Sequence, residues 1–148
     1  MAKVKVTGIN KAKSNMQKVI DDVKQKKALR AIHSALIIIG TESATMVPID
    51  TSNLINSQFR DVNTSGTRVY GKVGYSAEYA AYVHEMSGKL KGKPRSSVAS
   101  FETGDGRIAF ASNKGNFWDP GGEPGFLDKA VKRTKKQCDD VIKKEMSL

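Results

Sequence analysis

The chain has 148 residues, a formal net charge of +10, 39% hydrophobic and 27% charged residues, and one cysteine. This length suits one domain able to bury roughly 68–70% of the surface its unfolded chain exposes, and the composition is globular with a polar excess, which excludes disorder and a disulfide framework. The apolar run Ala35 to Ile39 stops at Gly40, far short of a bilayer span, and Met1 to Val6 has no signal-peptide apolar region, so synthesis and assembly in the cytoplasm are expected, with no membrane partner.

Val4 and Val6 alternate with Lys3, Lys5 and Thr7, predicting a short strand ended by Gly8. From about Lys11 the period becomes helical. Met16, Val19, Ile20 and Val23 form one stripe, and Leu29, Ile32, Leu36, Ile39 and Met46 form a second, with the lysines at 24, 26 and 27 between them. Either one bent helix or two in series fits, the second from about Lys27 to Thr45. Pro48 ends the pattern, since it lacks a backbone donor and drives Val47 out of the helical region, and Asp50 to Asn53 supply turn chemistry. Ile55 to Val62 and Thr67 to Tyr75 then read as antiparallel strands joined by Asn63-Thr64-Ser65-Gly66. Val69, Gly71, Val73 and Tyr75 alternate with Arg68, Tyr70 and Lys72, giving one covered and one wet face. Gly71 and Gly74 weaken the strand unless a bulge or a close approach uses them.

Ser76 to Met86 predicts a short helix with Ser76 as its cap and Tyr79, Tyr82, Val83 and Met86 at helical spacing. Composition then shifts. Residues 87–116 are rich in Gly, Ser and Lys and read as an inserted arm, with a hairpin of Val98–Phe101 and Arg107–Phe110 around Gly104-Asp105-Gly106. Phe117 to Glu123 is a turn-rich return. Pro124 suits the first turn of a last helix whose apolar face is Leu127, Ala130, Val131, Thr134, Cys138, Val141, Ile142 and Met146. Cys138 on that face reads as a small buried hydrophobe.

Three segments carry a family resemblance. Val47-Pro48-Ile49-Asp50-Thr51-Ser52-Asn53-Leu54, followed by Ser57, resembles the post-helix turn of the head-tail joining and tail-completion proteins of tailed bacteriophages. Tyr79-Ala80-Ala81-Tyr82-Val83-His84-Glu85 is similar to that family's aromatic segment, and Pro124-Gly125-Phe126-Leu127-Asp128-Lys129-Ala130 to the lead-in of its last helix, in the same order. Ser52 stands where that turn has its usual glycine, which argues against a left-handed backbone there. The resemblance implies a structural protein of the virion neck or tail, not an enzyme. It implies a homo-oligomeric, six-fold ring bridging the portal side to the tail tube, with connector and tail-tube or tail-terminator proteins as partners. Pro48, Asp50, Thr51, Leu54, Tyr79, Tyr82, His84, Glu85, Pro124 and Phe126 are then the candidate subunit or partner contacts.

No enzymatic pattern competes well with this reading. His84-Glu85 lacks the second histidine of a zinc helix, because Gly88 stands one turn on, and only His33 and His84 exist. No nucleophile elbow or Walker loop is present, and no cofactor, metal or small-molecule substrate is expected. The positive charge points to nucleic acid or an acidic surface, against lysines that only keep the chain in solution. In the arm, Lys89, Lys91, Lys93, Arg95, Arg107 and Lys114 lie among Phe101, Phe110, Phe117 and Trp118. These are candidates for transient contact with genomic DNA or for docking on a neighbouring protein. Docking is favoured, because no recognised single-strand-binding fold accompanies the aromatics. The expected architecture is α+β, a single domain over 1–148. A long N-terminal helix and a C-terminal helix pack on a small antiparallel sheet, and residues 87–116 extend from it. A basic DNA-binding or DNA-packaging accessory protein is the alternative function, and a small hydrolase is the weaker one.

Overall fold

The computed structural model describes residues 8–66, 68–96, 99–102, 106–109, 111 and 117–147. The strand expected at Val4 and Val6 lies outside them, as do Val98, Gly104, Asp105, Phe110 and Lys114. Helix α1 runs unbroken over Ile9–Met46, 38 residues, so one helix replaces the two in series. It stops where the sequence requires: Val47 is extended at φ −64° and ψ 128°, as the residue before a proline must be, and its N–H closes the last turn on the Ser43 carbonyl at 3.1 Å.

The one-turn helix α2, Asn53–Asn56, follows the Pro48 turn and takes up the start of the segment expected as strand, so β1 begins at Gln58 and runs to Ser65. Strand β2, Arg68–Tyr75, pairs with it antiparallel from Gln58↔Tyr75 to Ser65↔Arg68. The connection is accordingly tighter than the four residues expected. α1 lies on one face of this hairpin. Gly71 makes the approach possible: a Cβ there would stand 2.6 Å from Ile32 Cγ2 and 2.8 Å from Leu36 Cδ1. A buried polar seam joins the two layers, in which Gln58 Nε2 donates to the Gly40 carbonyl and to Tyr75 Oη, both at 2.8 Å, and the buried Ser43 shares a 2.7 Å hydrogen bond with the same phenol. Across the hairpin's other face, Phe59 packs over Gly74 and Lys72 Nζ stands 5.6 Å from the Phe59 ring centre.

Helix α3, Ala80–Glu85, is shorter than expected. Ser76 does not cap it; its hydroxyl and amide both donate to the Ser57 carbonyl and seal the end of the sheet. In the arm, β3, Phe101–Glu102, pairs antiparallel with β4, Ile108–Ala109, which is the expected hairpin in its described part. Helix α4, Phe126–Met146, starts after Gly125 in the left-handed conformation, so Pro124 precedes the helix and does not form its first turn.

α4 runs antiparallel along α1. Arg133 meets Glu42 at 3.3 Å, Cys138 Sγ lies 3.8 Å from the Ala35 carbonyl, and Lys27 Nζ donates to the Ser147 carbonyl at 2.6 Å. Phe126, Ala130, Thr134 and Cys138, one turn apart, form the buried line of α4. Val131 is 100° around the helix from Ala130 and is 47% exposed, which corrects its expected place in the core. The central cluster is Met46, Val47, Leu54, Ala80, Phe126 and Ala130, at the C-terminal end of α1. At the other end, residues 9–26 are all exposed. The sheet, α1 and α4 make the α+β architecture expected, with α1 in contact with both. Among the described residues no helix is long and apolar enough to cross a membrane.

Candidate functional site

The end of α1 meets three loops at one place, and backbone hydrogen bonds fix them. Glu123 N–H donates to the Met46 carbonyl at 2.8 Å, Gly125 N–H to the His84 carbonyl at 2.8 Å, and Ile49 N–H to Asp119 Oδ2 at 2.7 Å. Gly122 is pressed onto Pro48 so closely that a Cβ would lie 2.3 Å from the proline Cβ. Ser52 completes the turn in the left-handed conformation, φ 61° and ψ 0°, which the missing glycine had put in doubt. Its strain is balanced by what it positions: Thr51 and Leu54 are buried on either side, and Asn53 Nδ2 donates to Tyr79 Oη at 3.1 Å.

These segments enclose an apolar hollow of about 430 Å³, open on one side. Pro48, Leu54, Tyr79, Tyr82, Val83, Met86, Leu90, Trp118, Gly122 and Pro124 are in its lining. Tyr82 is the most exposed large side chain at its mouth, at 72%. Of the ten contact candidates, Pro48, Asp50, Thr51, Leu54, Tyr79, Tyr82 and Pro124 line it. Three do not. Phe126 is 1% exposed and belongs to the core, with its ring edge-on to Tyr75 at 5.2 Å and to His84 at 4.9 Å. His84 lies on α3 with Nε2 buried and without a hydrogen-bond partner among the described residues, and its ring packs on Phe126. Glu85 is exposed on the flank of α3.

The arm's basic residues divide. Arg95 turns inward. Its side chain is 6% exposed, forms a two-pronged ion pair with Asp50, donates through Nε to the Phe117 carbonyl at 3.2 Å, and lies 4.8 Å from the Trp118 ring centre. The Asp50 hydrogen bond raises its pKa above the ordinary guanidinium value, against the opposing effect of burial. Around this clamp Gly92 N–H and the Lys93 carbonyl each bond to Trp118 at 3.0 Å, and Pro94 bridges Phe117. The base of the arm is thus part of the body. Lys89, Lys93 and Arg107 are exposed, Lys91 lines the hollow, and Lys114 is outside the described residues.

Sequence reasoning missed Leu90, Trp118 and Gly122 as walls, because nothing in a turn-rich return shows which loop it will lie against. Glu123, also at the rim, has its carboxyl held below the usual 4.5 chiefly by the hydrogen bond from Lys129 at 2.7 Å. Among the described residues no three His, Cys, Asp or Glu side chains are grouped to hold a metal ion. No family model matches the chain, and no curated protein or solved structure matches it.

Proposed function

We propose that the protein is a structural, non-catalytic subunit of a phage virion, a head-tail connector or tail-completion protein. In this reading it assembles in the host cytoplasm into a six-fold ring that joins the portal side to the tail tube. One observation carries the reading: the three separate segments that resemble this family each contribute to a single hollow, whose lining includes Pro48, Tyr79, Tyr82, Met86, Trp118 and Pro124. Such side chains suit a protein contact, where aromatic and Met residues are enriched. Tyr82→Ala removes an exposed wall without touching the core. The expected result is loss of ring formation or tail attachment with an unchanged melting temperature, read by native mass spectrometry and tail-binding assays. Wild-type assembly by this variant would defeat the proposal.

The second reading, a DNA-binding or packaging accessory, is favoured by the exposed lysines of α4 at 132, 135, 136, 143 and 144. It requires affinity for duplex DNA that survives physiological salt, whereas a merely basic surface loses it steeply as salt rises.

A further inference from the structure

The N-terminal half of α1 is a helix with an apolar stripe on which none of the other described residues packs. Met16, Val19, Ile20 and Val23 are 67%, 64%, 40% and 43% exposed, and their spacing of i, i+3, i+4 and i+7 is that of a helix anchored in a groove. The stripe continues an interface already present. Met16 and Ile20 lie about three turns before Lys27 and Ala31, on the same side of α1, and Lys27 is where α4 ends, bonded to the Ser147 carbonyl. Beyond that point none of the described residues covers the seam.

The chain's apolar hollow is at the opposite pole. α1 is continuous, so Val23 stands about 35 Å from Met46 at ~1.5 Å per residue, and no molecule can place this stripe in its own hollow. Acidic side chains outnumber basic ones in the lining of the hollow, where Asp50, Asp119 and Glu123 stand with Lys91. Glu78 and Glu85 are exposed along one side of α3 beside Tyr82, and Lys13 and Lys24 are exposed along one side of the stripe.

We propose that the exposed half of α1 of one copy seats in the hollow of a second copy, with Met16, Val19, Ile20 and Val23 against Tyr82, Met86 and Trp118. The two surfaces differ and sit at opposite ends, so the contact is head-to-tail and repeats from copy to copy, closing into a ring where the rotation allows. This rests on the ring reading above and names the contact that would build it.

The test uses full-length protein, native mass spectrometry and light scattering. Val19→Glu breaks the stripe and Tyr82→Ala opens the hollow; both positions are exposed, and circular dichroism checks that each variant folds. Each variant alone is expected to be monomeric. An equimolar mixture is expected to give a one-to-one heterodimer and nothing larger, since one intact stripe and one intact hollow remain. Glu85→Lys is expected to weaken assembly about tenfold, and Lys24→Glu in the same chain to restore it.

Wild-type rings from Val19→Glu together with monomers from Tyr82→Ala would overturn the inference and leave the ring reading standing. Dissociation by Val19→Glu but not by Tyr82→Ala would mean that stripe pairs with stripe, which also overturns it. A wild-type protein that stays monomeric at high concentration would overturn both.

Discussion

Ser52 is the only described residue other than glycine with positive φ, and it occupies the turn that shapes the hollow. A Cβ in the left-handed region costs roughly 1–2 kcal/mol, partly offset when glycine's own backbone entropy is lost on folding. Ser52→Gly is therefore expected to raise stability by about 0.5–1 kcal/mol in denaturant melts, and Ser52→Val to lower it by a similar amount or more. Arg95 makes a second residue-scale case. Removing it leaves Asp50 with a lost two-pronged partner and Trp118 with an uncovered face, an expected cost of about 1–3 kcal/mol for Arg95→Met. The same burial predicts the cleavage pattern. Limited trypsin digestion followed by mass spectrometry is expected to show cuts after the exposed Lys89 and Lys91 but not after Arg95, Lys93 being protected by the proline that follows it. A first cut at Arg95 would mean that the clamp is open in solution.

α4 shows how far sequence patterning reaches at the scale of an element. Its span and most of its apolar face were legible, because twenty-odd residues of regular spacing average out local exceptions. What the pattern does not give is which part of a broad stripe faces the neighbour. Ala130, Thr134 and Cys138 let α4 come close to Ala35, and that choice turns Val131 outward. Leu127→Ala is accordingly expected to cost about 2 kcal/mol, at the low end for large-to-small core changes because Leu127 is only half-buried. Val131→Ala and Lys132→Ala are expected to cost under about 0.5 kcal/mol each, as exposed substitutions do. Equal losses at 127 and 131 in urea melts would contradict this helix facing. α2 was illegible for the opposite reason. Asn53 to Asn56 is one turn long, and one turn has no period to read. The left-handed Ser52 and the Asp50–Arg95 clamp were also hidden, one because propensity speaks against it and the other because its partners are 45 residues apart.

For the whole molecule, the helices, the hairpin and the α+β arrangement follow from periodicity and turn residues, whereas the hollow depends on loops meeting from three distant stretches. That difference also bears on how the protein is made. Cys138 packs on Ala35 across 103 positions of sequence, and Phe126 and Ala130 complete the cluster around Met46. At ~5–20 residues per second on a ribosome, α1 is born roughly 5–20 s before the helix that covers it. Throughout that interval Ala31, Ala35, Leu36 and Met46 have at most the hairpin, α2 and α3 to shield them. The nascent chain is then a client for chaperones until α4 emerges, and a ribosome stalled before residue 126 would hold a long helix with a bare apolar side. Pulse proteolysis of stalled chains is expected to show resistance of the α1 region appearing only once α4 has left the exit tunnel, late and in one step.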